Sequence, residues 1–164
     1  MKIIKWLNKY LEEVILVCLL ACMMMIMGIQ IFFRYVLNNS LTWSEELTRY
    51  LFIWSAFVSI SFCLKKDISI KIDLVAGVFS KKGKKVLTVI SDLLVIVFCI
   101  IMTYYSYKYL LRSIAMGQTS PACGIPMYIV QSAPFVGFIL AFIRGVQKSI
   151  KALKGFVSRK EEVK

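Results

Sequence analysis

Long apolar runs separated by short charged segments set the pattern of this chain. The first uncharged run, residues 14–33, has twenty residues and is closed by Arg34. It matches the roughly 20 residues with which a helix crosses a hydrocarbon core. The second run, 50–64, lies between Arg49 and Lys65 and has fifteen residues. Fifteen residues rise only about 22 Å, short of a core about 30 Å thick. The third, 86–107, carries a single charge, Asp92, and the fourth, 127–143, ends at Arg144. The pattern predicts an all-α membrane protein, residues 1–164 forming one membrane domain, with spans at approximately 12–35, 43–64, 85–112 and 126–145. Between spans two and three, Ile68, Ile72, Val75, Ala76 and Phe79 fall on one helical face. They predict an amphipathic helix over about 68–80, lying in the interface. The alternative is a strand-like loop, because residues 68–74 also alternate with period two. Residues 146–164 form a basic tail in which Val146, Ile150, Leu153 and Val157 share one side.

Composition sharpens this picture. The chain is 59% hydrophobic and 18% charged, too apolar for a soluble domain of its size. It contains no histidine. That excludes His-ligated haem, zinc or iron and any His general base. The net charge of +12 would suggest nucleic acid in a soluble protein; here it reads as topology instead. Seventeen of the 21 basic residues lie in the two tails and the second loop, and four in the first and third loops. Positive residues stay on the cytoplasmic side, which places both termini inside. Lys65, Lys66, Lys71, Asp73, Lys81, Lys82, Lys84 and Lys85 then form a membrane-interface set at the inner surface, suited to anionic head groups. Leu19-Leu20-Ala21-Cys22 resembles a lipobox, but the apolar run continues past it to Phe33, so the segment reads as a span. No CxxC spacing occurs among the five cysteines, which read as small packing residues.

Candidate chemistry concentrates in the first loop and the start of the second span. Asn38-Asn39-Ser40 reads as a turn, and Thr42 with Glu45 matches a capping box. Glu45 and Glu46 then occupy a first helical turn, where the dipole favours carboxylates, and Arg49 lies within ion-pair reach of both. Starting the helix at Trp43 lengthens the short second run to 22 residues, or about 33 Å. Two readings remain open. The charges cap a helix end in the head groups, with Trp43 as an aromatic anchor; or they are buried against another polypeptide. Arg34, Trp43, Glu45, Glu46, Arg49, Trp54 and Asp92 are the partner-interface candidates. For Asp92 the alternative is shallow placement, neutralised by Lys84 and Lys85. No Asp, Glu, Lys, Arg or His lies in 93–107 or 127–143, so a proton or sodium relay has no acidic or basic groups to use there. In the third loop, Gly117 predicts a helix stop. Pro121, Gly124 and Pro126 predict a structured turn, with Pro126 in the first turn of the last span; Pro134 lies inside that span.

Phe33-Arg34-Tyr35, the run from Leu41 through Trp43-Ser44-Glu45-Glu46-Leu47-Thr48-Arg49-Tyr50 to Trp54, Ile70-Lys71-Ile72-Asp73-Leu74, and Ser120-Pro121-Ala122-Cys123-Gly124-Ile125-Pro126-Met127-Tyr128 follow one another in order. Together they resemble the small membrane subunit, or Q component, of the tripartite ATP-independent periplasmic (TRAP) transporters. Many members carry His where this chain has Ser69, a departure that removes any role assigned to that side chain. The resemblance implies a multi-pass protein of the bacterial inner membrane and not an enzyme. It implies two partners: a large membrane subunit holding the transport path and any sodium sites, and a periplasmic binding protein delivering an organic acid, dicarboxylate or sialic acid. The small subunit itself would hold no cofactor, brace the large one, contact the lipid bilayer and bind no nucleic acid. Two other classes are weighed beside it. A stand-alone four-helix transporter needs an acidic residue well inside its first span, whereas Glu12 and Glu13 lie at its edge, close to Lys9. A membrane anchor for a redox enzyme would ordinarily need His ligands for haem.

Overall fold

Four helices account for most of the described residues, 2–66 and 81–161, of the computed structural model; side chains are described over 10–66 and 89–150. They are α1 (Lys2–Val36), α2 (Thr42–Lys66), α3 (Lys81–Met116) and α4 (Met127–Glu161). Each contains a segment long and apolar enough to cross a membrane: Tyr10–Val36, Thr42–Lys66, Val89–Met116 and Met127–Ile150. The helices exceed the expected spans because they continue into charged sequence. The fifteen-residue run of span two is completed by residues 42–49, and α4 runs on through the basic tail to Glu161. The proposed interfacial helix 68–80, with Lys71 and Asp73, lies outside the described residues. So do the side chains of Lys81, Lys82, Lys84 and Lys85.

Backbone chemistry explains where the helices stop. The amides of Leu37 and Asn39 both donate to the Phe33 carbonyl, at 3.2 and 3.1 Å, and Asn38 takes the left-handed conformation (φ 50°) that Asn tolerates. Gly117 ends α3 at φ 59°, as expected of a glycine past a helix C-terminus. Pro126 sits one residue earlier relative to α4 than expected. It precedes the helix, and its carbonyl accepts the Ile129 amide at 3.1 Å. A proline just ahead of a helix gives up no intrahelical donor.

Packing proceeds in the order α1–α2–α4–α3. The helices therefore form an open row, with α1 and α3 at its edges. The core lies where α2, α3 and α4 meet: Cys99, Phe138 and Ala141 are buried, packed by Phe57, Ile60, Leu64, Val95, Met102 and Phe142. Phe138 meets the rings of Phe57 and Phe98 edge-on, at centroid distances of 5.7 and 6.0 Å, the arrangement aromatic quadrupoles favour. Gly137 lets α4 approach the backbone of α2. A Cβ there would lie 2.6 Å from Phe57 Cβ and 2.9 Å from its carbonyl oxygen. Small residues at a crossing replace hydrophobic driving force with close van der Waals contact in membranes. The edges carry the opposite pattern. Val17, Leu20, Met24 and Met25 on α1, and Leu93, Leu94 and Tyr105 on α3, are exposed. Such faces are stable only against lipid or another membrane protein.

Candidate functional site: polar clusters at the two ends of the row

The end that carries the chain termini is held by ion pairs. Glu12 is fully buried. One carboxylate oxygen accepts from Lys65 Nζ at 2.5 Å and the other from Arg144 Nε at 2.5 Å. Arg144 also donates to Gln147 Oε1 at 2.7 Å. The three charges sit at the edges of three different apolar runs, so helix packing brings them to one depth. A carboxylate without solvent must be paired, and Glu12 has a cation for each oxygen. On α3, Asp92 pairs with Lys148 of α4 at 2.9 Å. A looser pair, Lys66 with Glu13 at 3.7 Å, lies at the surface. These contacts join all four helices at one end.

The far end is a clasp between the start of α2 and the loop before α4. Glu46 Oε1 accepts from the Tyr50 hydroxyl at 2.5 Å, and Oε2 from the amides of Ala122 and Cys123 at 2.9 and 3.0 Å. Those amides converge because the loop folds back on itself. Ser120 donates to the Ile125 carbonyl, Gly124 to that of Ser120, and Met127 to that of Gln118. Gly124 adopts φ 66°, which glycine takes without strain. A carboxylate on paired backbone amides makes charge-assisted hydrogen bonds. Cys123 Sγ also approaches the Trp43 carbonyl at 3.4 Å. Beside this clasp, Gln30 of α1 donates to Glu45 Oε1 at 2.8 Å.

Several sequence expectations change here. The capping box does not form: Glu45 is drawn to Gln30, and Ser44 donates both its amide and its hydroxyl to the Leu41 carbonyl, at 3.3 and 2.6 Å. The Glu-Glu-Arg set is likewise broken up. Glu45 and Glu46 find partners on α1 and in the loop, and Arg49 is exposed, with no ion pair among the described residues. Asp92 pairs within the chain with Lys148 on the neighbouring helix, whereas the side chains of Lys84 and Lys85 lie outside the described residues. Lys65 pairs with the buried Glu12. Arg34 and Trp43 are exposed and Trp54 is half-buried. Pro121 and Gly124 lie in the loop that holds Glu46. Glu12, Gln30, Tyr50, Arg144 and Lys148 were missed. The available signal was depth: Glu12, Lys65 and Arg144 each end an apolar run on the same side. No group of three or more His, Cys, Asp or Glu side chains could hold a metal among the described residues.

The clasp makes one testable demand. Burial and the Glu46 carboxylate push the Cys123 thiol above its usual pKa, and only the thiolate reacts. Glu46→Gln removes the charge and weakens the loop's hold, so thiolate forms at lower pH. In a background lacking the other four cysteines, an impermeant maleimide is expected to label Cys123 several-fold faster at neutral pH in Glu46→Gln. An unchanged or slower rate would contradict the clasp.

The family described as "Tripartite ATP-independent periplasmic transporters, DctQ component" matches residues 23–155. The chain belongs to this family. The match takes in the far-end clasp, Lys65, Asp92, Arg144 and Lys148, while Glu12 lies ahead of it. The chain is 25% identical over 151 residues to the isethionate TRAP transporter permease protein DctMQ of Oleidesulfovibrio alaskensis, covering 88% of this chain and 24% of the relative. It is 27% identical over 126 residues to the ectoine TRAP transporter small permease protein TeaB of Halomonas elongata, covering 77% and 64%. It is 30% identical over 104 residues to the sialic acid TRAP transporter permease protein SiaT of Haemophilus influenzae, covering 63% and 17%. The chain thus spans less than two thirds of each of these relatives. A DctQ component is part of a transporter and not an enzyme, and the four spans make this one a multi-pass protein of the bacterial cytoplasmic membrane.

Proposed function

We propose that this chain is the accessory small permease subunit of a sodium-coupled TRAP transporter that imports an organic acid of the dicarboxylate or sialic acid class. A large permease subunit carries the transport path, and a periplasmic binding protein delivers the solute. One observation carries the reading. The chain matches a 24% portion of DctMQ and a 17% portion of SiaT, as expected of a module that works beside a larger permease. The open row fits it too, since its apolar edges leave room for a membrane-embedded neighbour as well as lipid. The sodium-coupled path belongs to that neighbour, because residues 93–107 and 127–143 offer no Asp, Glu, Lys, Arg or His side chain.

Co-expression tests the assignment. The tagged chain is expected to retain its large permease partner through detergent purification; recovery of the chain alone would contradict it. Orientation follows from the basic asymmetry, with both termini inside. An impermeant thiol reagent applied to whole cells is expected to label Thr119→Cys and not Gly83→Cys. The reverse pattern would overturn the orientation.

A further inference from the structure

One charged stretch of the surface is used by neither cluster. Gln30 and Glu45 meet across the α1/α2 seam. Arg34 lies one helical turn beyond Gln30 on α1, and Arg49 one turn beyond Glu45 on α2, so each stays near the seam. Both arginines are exposed, and neither has an ion pair among the described residues. The seam therefore holds two cations and one carboxylate that is already engaged. The Oε1 atom of Gln30, in a residue only 5% exposed, lacks any donor. Below Arg49 the exposed stripe of α2 continues through Phe52, Ala56 and Cys63. These positions recur at helical spacing. Arg49 lies seven residues into α2, at the edge of the uncharged run 50–64, and an arginine drawn into the hydrocarbon calls for a counter-charge.

We propose that this face of the α1/α2 seam receives a transmembrane helix of a partner protein that carries a carboxylate at the depth of Arg49. Arg49 pairs with that carboxylate, Arg34 strengthens the positive field nearer the surface, and the small residues of the stripe let the partner helix approach. Charge complementarity selects this occupant. Bare lipid tails would cover Phe52 and Ala56 equally well but would leave Arg49 without an anion. Arg is suited to the task because its planar guanidinium binds carboxylate in two-point fashion and stays charged. The inference rests on the accessory-subunit reading only in taking the large permease as the partner.

The experiment measures association of the detergent-purified chain with that permease after reconstitution in nanodiscs of neutral phosphatidylcholine. Arg49→Ala is expected to weaken association by roughly a hundredfold, as for an interfacial charge pair that loses one member. Arg49→Lys should retain much of the affinity. Arg49→Glu should be rescued by one Asp or Glu to Arg change in a membrane helix of the permease. Arg49 is exposed, so thermal unfolding of the isolated Arg49→Ala chain should match wild type. Wild-type affinity for Arg49→Ala would overturn the proposal while leaving the accessory role intact. A loss that appears only in discs containing anionic lipid would assign Arg49 to a head-group phosphate and equally overturn it. Failure of the wild-type chain to bind the permease would instead count against the accessory reading.

Discussion

Glu12→Ala is expected to destabilise the isolated chain by about 3–5 kcal/mol, the cost of breaking a buried ion pair from one side. Glu12 is fully buried, and its removal takes the shared carboxylate away from Lys65 and Arg144, whose side chains are 19% and 10% exposed. Among the described residues helix α1 packs mainly against α2, and Glu12 ties it to α4 as well. The loss should therefore appear as early release of α1. Unfolding in mixed detergent micelles, followed by a fluorophore pair on α1 and α4, measures it. Replacing all three charges together by Met or Leu should recover much of the stability, because the penalty comes from the cations left behind. A Glu12→Ala chain as stable as wild type would mean that the triad carries no load.

Gly137→Val acts at the other structural joint. A Cβ at this position meets the Phe57 backbone at 2.9–3.0 Å, and backbone atoms cannot rotate away as a side-chain tip can. Overpacking ordinarily costs about 1–3 kcal/mol, and this site should lie at the upper end. The α2–α4 crossing would open and release Phe138 from Phe57. Gly28 provides the control, since nothing lies within 4 Å of its Cβ position; Gly28→Ala should not destabilise. Equal stability for Gly137→Val and wild type would show that the close crossing is unnecessary.

The four spans were legible because each is an apolar run bounded by charge, and the helix stop at Gly117 because glycine accepts a positive φ. The polar clusters were not. Glu12 is 53 residues from Lys65 and 132 from Arg144, and nothing local links them. Glu46 is held by backbone amides of Ala122 and Cys123, and an amide leaves no trace in side-chain identity. The Glu45–Arg49 spacing suggested a pair that helix geometry permits. Gln30 took Glu45 because α1 packs directly against α2 there, a tertiary contact outweighing a local one. Asp92 pairs with Lys148 because α3 and α4 are neighbours, and Gly145 lets α4 come within 3.4 Å of Ile96 Cγ1 at its own Cβ position.

The accessory role is tested most directly by flux. The solute is an organic acid that co-purifies with the proposed periplasmic binding protein, and uptake is measured in proteoliposomes under an inward sodium gradient. The account predicts uptake with this chain, the large permease and the binding protein together, and none with this chain alone or when it is withheld. Sodium-driven uptake by this chain alone, or full uptake without it, would contradict the account.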